Sequence, residues 1–73
     1  MNVANSTTAD VAFPNVYTGT AGREGDRLAF FSAVPVQRTI SGTVDGVAVR
    51  ASIQPDPSFD RRRGGLLIAT ILP

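Results

Sequence analysis

Asp45-Gly46 separates two runs in which apolar and polar residues alternate, residues 38–44 and 47–53. A two-residue connection between antiparallel strands works best as a type I′ turn, which needs positive φ at both central positions, and Asp followed by Gly tolerates this well. A two-residue turn also fixes the register. Val44 then faces Val47, Gly42 faces Val49, Ile40 faces Ala51 and Arg38 faces Ile53. Because side chains alternate with period two, these residues share one largely apolar face, and Thr39, Ser41, Thr43, Ala48, Arg50 and Ser52 share the polar one. Turn chemistry and alternation agree in both strands, which specifies a hairpin with one buried face that other residues must cover. Gly42, in mid-strand, marks a bulge or a close backbone approach.

The cover has to come from a short chain. At 73 residues there is room for one domain, and a domain of this size buries a smaller share of its surface than a larger one. Such folds usually add disulfides, a structural metal or a partner subunit. With no Cys and no His, the chain offers neither a disulfide nor the usual zinc ligands. No metal or cofactor is expected, and oligomerisation is the remedy left.

Residues 1–10 are polar or small with little to bury, so they read as a flexible N-terminal arm, leaving 11–73 as a single small β domain. Val11–Phe13 suits a short strand stopped by Pro14. Thr18–Asp26, with three Gly and alternating charge, reads as a loop or turn. In a strand from Arg27, Leu28, Phe30 and Ser32 point one way while Ala29, Phe31 and Ala33 point the other. One phenylalanine then joins the core and the other seeks a second apolar surface, unless both are core aromatics around a bend at Ser32. Pro35 interrupts this run, and Val36-Gln37 leads into the hairpin. Residues 54–65, "QPDPSFDRRRGG", form a loop. The final "LLIATILP" is a nearly continuous apolar run, as in a strand buried on both faces, with another subunit covering the second face. The expected fold is mainly β: a small antiparallel domain with a central Asp-Gly hairpin, an N-terminal arm, a C-terminal apolar strand and an oligomeric state.

Chemistry is sparse. Without His, Cys or Lys, the common nucleophile, general-base and Schiff-base groups are missing. Acid–base work would fall to Glu24 with Asp26 or Asp56 with Asp60, both in loop-like sequence, so no enzymatic role is expected. "GTAGREG" lacks the Lys-Ser/Thr ending of a phosphate-binding loop. Asn5-Ser6-Thr7 matches a glycosylation acceptor, but the N-terminus has no secretory character. No run approaches the roughly 20 apolar residues of a membrane span, so the chain reads as soluble with no membrane partner. A net charge of +1 gives no general attraction to nucleic acid. Arg61-Arg62-Arg63 could grip a phosphate backbone, pair with carboxylates of a neighbouring protein, or form a solvated loop balanced by Asp56 and Asp60.

The stretch "RLAFFSAVPVQR" resembles a short motif of tailed-bacteriophage virion proteins: Lys/Arg, Ile/Leu, Gly, Phe, Phe/Tyr, Gly, two variable residues, Pro, Val/Ile, a variable residue and Gln. Arg27, Leu28, Phe30, Phe31, Pro35 and Val36 match; Ala29 and Ser32 replace glycines, and Gln37 falls one place early. The resemblance implies a symmetric virion component, expected to be a homotrimer that decorates or cements the capsid surface and is soluble in the host cytoplasm before assembly. Its partners would be itself and the major capsid protein or another virion protein. The expected interface comprises Leu28, Phe30, Phe31, Pro35 and Val36, the Arg61, Arg62 and Arg63 loop, and Leu66, Leu67, Ile68, Ile71 and Leu72. Two other readings stand beside it. One is a trimeric fibre or spike segment for host attachment, with Tyr17 and Phe59 as its loop aromatics. The other is a small nucleic-acid-binding protein using Arg61–Arg63.

Overall fold

In the computed structural model, which describes residues 7–73, the Asp45-Gly46 turn has φ of 50° and 82°, both in the left-handed region that type I′ requires. It joins β4 (Arg38–Val44) to β5 (Val47–Pro55), and the register pairs Val44 with Val47, Gly42 with Val49, Ile40 with Ala51 and Arg38 with Ile53, as the turn dictates. The remaining strands are β1 (Thr7–Phe13), β2 (Tyr17–Glu24), β3 (Arg27–Ser32) and β6 (Gly65–Ile71). All pairings are antiparallel, and the order β1-β2-β3-β6-β5-β4 closes into a barrel. Two three-stranded meanders are thus joined along two seams, β3 with β6 and β1 with β4. Closure removes most of the exposed sheet edge that a small open sheet would present.

Of the hairpin's apolar face, Val44, Ala51 and Ile53 enter the barrel interior and Ile40 and Val49 are half-buried, whereas Val47 beside the turn is 63% exposed. Val11 and Phe13 of β1, Leu28 and Phe30 of β3, Val44, Ile53 and Leu67 point inward, interleaved with Ala9, Ala21, Ala51 and Ala69. Large side chains set between alanines suit the narrow interior of a small barrel. Phe13, Leu28, Ile53 and Leu67 are wholly enclosed, and burials of this kind contribute about 1.5–3 kcal/mol each. Ser32, the buried polar residue, is satisfied locally: its hydroxyl donates to the Val34 carbonyl at 2.9 Å and accepts from the Val34 N–H at 3.2 Å.

Gly42 is a close approach. A Cβ there would meet the Ala12 carbonyl oxygen and lie 2.5 Å from Cδ1 of Phe13, so only a residue without a side chain lets β1 cross β4 at this point. The β1–β2 connection is a type II turn, with Pro14 and Asn15 at its centre, Asn15 at φ 64° and the Val16 N–H donating to the Phe13 carbonyl at 2.9 Å.

Two expectations are corrected. Thr18–Asp26 is not a loop: residues to Glu24 belong to β2, and the turn is confined to Gly25-Asp26. The glycines of β2 accommodate neighbours instead of ending the strand. Gly19 lies under the Tyr17 ring, where a Cβ would be 3.1 Å from the tyrosine oxygen. Thr7–Asp10, read as part of the arm, form the first half of β1, because Ala9 is buried and the whole segment pairs with β2; residues 1–6 lie outside the described residues. Within the chain, β6 is buried on one face alone. Leu67 and Ala69 enter the core, while Leu66 on the opposite face remains exposed.

Between β2 and β3 the ladder is short, Gly22–Glu24 against Arg27–Ala29. Beyond it the strands separate, and the gap is filled by aromatic side chains. The Tyr17 ring stacks on Phe30 with centroids 4.5 Å apart, and Phe30 in turn lies 6.1 Å from Phe13. The Tyr17 hydroxyl donates to the Thr20 carbonyl at 2.7 Å, supplying a partner to a group on the strand edge that β3 no longer reaches.

Candidate protein-contact face

Alternation along β3 settles the role of its two phenylalanines. Phe30 is 3% exposed in the core, and Phe31 is 60% exposed on the outer surface. Directly across on β6 is Leu66, also exposed, and the next outward pair is Ala29 with Ile68. Gly22 of β2 stands opposite Ala29. Small residues at these two outward positions leave a depression of about 380 Å³ whose lining includes Gly22, Glu24, Arg27, Ala29, Asp56 and Ile68. An exposed aromatic–aliphatic pair therefore adjoins a hollow, a surface suited to burial against a partner.

The Arg loop is brought to the same face by its closing glycine. Gly64 has φ 83°, and a Cβ on it would lie 2.6 Å from the Ser32 carbonyl oxygen and 3.1 Å from Cζ of Phe31. Gly65 makes similar room for Phe59, whose Cα would be 3.0 Å from a Cβ at that position. The loop itself is a tight turn. The Gly64 N–H donates to the Asp60 carbonyl at 2.6 Å, and the Asp60 carboxylate accepts from the backbone N–H of Arg62 at 2.7 Å and of Arg63 at 3.4 Å. Asp56 makes its own turn, accepting from the Ser58 N–H at 3.0 Å and from the Ser58 hydroxyl. Those two hydrogen bonds, the hydroxyl's first, hold the Asp56 carboxyl below the usual carboxylate range. Both carboxylates that could balance the Arg run are thus engaged in ordering backbone, and the three guanidinium-bearing residues are exposed.

The expected interface residues divide. Phe31, Leu66 and Ile68 share the outer face, with Arg61, Arg62 and Arg63 exposed in the loop that Gly64 closes beside Phe31. Leu28, Phe30 and Leu67 are core residues with almost no surface to offer a partner. Pro35 is exposed and Val36 half-buried in the β3–β4 connection, Val36 packing on the core. Ile71 also packs on the core, and Leu72 is exposed at the far end of β6. Gly22 and Ala29 were missed. Their signal is small residues at outward strand positions beside a large apolar one. The loop aromatics of the attachment reading are both engaged, Tyr17 on Phe30 and Phe59 against the core.

Among the described residues there is no group of three or more His, Cys, Asp or Glu placed to hold a metal ion, and no helix is long and apolar enough to cross a membrane. No protein-family model matches the chain, and no curated protein or solved structure matches it either.

Proposed function

We propose that the protein is a non-enzymatic assembly subunit of a virion, a decoration or cement protein that stabilises a phage head through protein–protein contacts. The observation that carries this reading is the exposed Phe31–Leu66 pair, set beside a hollow and flanked by the Arg61–Arg63 loop on a closed barrel. An apolar centre with a charged rim is the usual anatomy of a protein contact: the centre supplies the free energy on desolvation, and the rim acts chiefly on encounter. The motif resemblance gives the class of partner, the major capsid protein or a neighbouring virion protein. Such a subunit needs a stiff shape and a sticky face, with no reacting group.

Co-sedimentation of purified protein with particles tests the reading. The parent chain binds. Phe31→Ala weakens binding by about tenfold or more, as loss of an aromatic anchor does. Replacing Arg61, Arg62 and Arg63 by Ser leaves the fold intact, slows docking and flattens its salt dependence. Particles lacking the protein release DNA at lower temperature than complete ones. Equal robustness of complete and depleted particles, with loss of host adsorption, would replace this reading by the attachment one.

A further inference from the structure

The barrel consists of two consecutive three-stranded meanders, β1-β2-β3 and β4-β5-β6, which meet along the β3–β6 and β1–β4 seams and in the core they enclose. The covalent link between them is the segment 33–37, from the end of β3 at Ser32 to the start of β4 at Arg38. In the closed order β1-β2-β3-β6-β5-β4, β3 and β4 stand opposite each other, so the link crosses one mouth of the barrel. Its sequence is unusual for a solvated crossing. Ala33, Val34 and Pro35 are exposed, Val34 by 62%, and Val36 alone of these four packs on the core. A run of exposed apolar residues in a connection calls for a use. Pro35 fixes its own φ and holds Val34 extended, so the link is stiff as well as short.

We infer that the chain forms a dimer by exchanging meanders: residues 7–32 of each copy close a barrel with residues 38–71 of the other, and 33–37 is the hinge. The surface that receives the second copy is already defined, because it is the one each meander uses within the chain. The β3–β6 ladder, the Val11↔Val44 and Ala12↔Thr43 pairs and the hydrogen bonds between Asp10 and Asp45 all recur between copies, with no new complementarity needed. What differs between monomer and dimer is the link. In the monomer it crosses the mouth. In the dimer each link runs from β3 of one barrel to β4 of the other, and the two-fold axis sets the two links side by side and antiparallel. Val34 and Pro35 of each copy then have the neighbouring link to cover them. Short, stiff hinges favour exchange of this kind, and lengthening them favours closure within the chain. The inference is independent of the role proposed above and makes the oligomer a dimer, in place of the trimer that the motif resemblance implies. Each exchanged barrel still carries one Phe31–Leu66 pair on its outer face, since the two residues meet across the long seam in either form.

The test places one disulfide across the long seam of the full chain. Ala29 and Ile68 are directly opposed on β3 and β6, a separation that a disulfide spans, and the chain has no cysteine to compete. The double variant Ala29→Cys, Ile68→Cys is refolded at increasing concentration, oxidised and run on a denaturing gel without reductant. In a closed monomer, or in a dimer that associates through any outer face, the bond lies within one chain and the product has monomer mass. Exchange puts the same bond between chains, so a covalent dimer results, and its share rises with refolding concentration. Sedimentation equilibrium of the refolded parent shows the same dimer without cysteines. Val34→Ser, at an exposed position that leaves the circular dichroism unchanged, raises the dissociation constant by about tenfold, and inserting Gly-Ser-Gly after Pro35, which lets the link cross the mouth freely, does the same. A monomer at every refolding concentration, a dimer whose disulfides all lie within chains, covalent products larger than a dimer, or a dimer that the insertion leaves equally stable each overturns the inference. A monomer that still binds particles overturns the exchange and leaves the virion role standing, whereas an exchanged dimer that ignores particles does the reverse.

Discussion

The two seams that join the halves of the barrel hold by different means. β3 and β6 run together from Arg27↔Thr70 to Ser32↔Gly65, a continuous ladder carrying Leu28, Phe30 and Leu67 into the core. β1 and β4 share only Val11↔Val44 and Ala12↔Thr43. The short seam is completed by local contacts. Gly42 admits the Ala12 carbonyl and the Phe13 ring, the Asp45 N–H donates to the Asp10 carbonyl at 2.7 Å, and the Asp10 N–H donates to the Asp45 carboxylate at 2.9 Å. A long ladder spreads its free energy over many residues, so single changes are absorbed. A short seam concentrates it in a few atoms. The barrel's weak point is therefore predicted to be β1 against β4, with effects there larger than anywhere on the long seam.

Gly42→Val should be the most damaging change. Its side chain has to enter space held by backbone and by the buried Phe13, and overpacking of this kind costs about 1–3 kcal/mol or more. The urea midpoint should fall accordingly, and near-parental stability would mean that the strands do not approach closely here. Gly46→Val comes next. At φ 82° a β-branched residue is strained, and the loss is about 1–3 kcal/mol. A melting point within a degree or two of the parent would refute the type I′ turn. Asp45→Ala should cost about 1–2 kcal/mol, since it removes the acceptor for the Asp10 N–H and places alanine at φ 50°. Hydrogen exchange sharpens this result: protection should fall at β1 amides while β3 and β6 amides keep theirs.

The same contrast explains what the sequence made legible. Asp45-Gly46 and the alternation around it are local, so the β4–β5 register could be written down without knowing any other strand. That Phe30 and Phe31 face opposite sides follows from alternation once a strand is assumed, but which of them enters the core does not, and both stood as interface residues. Gly19 and Gly22 were opaque. Their reasons are the Tyr17 ring and the hollow beside Ala29, tertiary features, and from sequence alone such glycines look like loop residues. The C-terminal apolar run marked Leu66 and Ile68 as partner-facing but did not separate them from the core residue Leu67, because which face of an apolar strand turns inward depends on its neighbours. Of the candidate face, Phe31, Leu66, Ile68 and the Arg run were legible. Its hollow was not, since the small residues that form it carry a signal only once the strands and their outward faces are known.

On the long seam, Phe31→Ser should cost less than about 1 kcal/mol, the range of a cross-strand pair, because the ring is exposed and the ladder beneath it is continuous. A loss comparable to that of Gly42→Val would show the two seams to be equally fragile and would dissolve the distinction.

The smallest expected effect concerns acid. Asp56 lies just beyond β5, where its N–H donates to the Leu66 carbonyl at 2.9 Å and its carboxylate holds the Ser58 turn. Its folded pKa is depressed, so its stabilising contribution is fully present above the unfolded carboxylate value of about 3.8 and is lost as pH falls through the lower folded value. In Asp56→Ala the stability difference from the parent should be constant near neutral pH and should shrink as the solution is taken below about pH 3.8. The group is at the surface and its partners lie two residues away, so the change should stay within the β5–β6 loop and leave exchange at both seams untouched. Urea titrations of parent and variant at several pH values read the first part, and hydrogen exchange reads the second. A difference that grows as pH falls would mean that the protonated form is the stabilising one, contrary to the hydrogen bonds from Ser58. Loss of protection along β6 would mean that the long seam leans on a single turn after all.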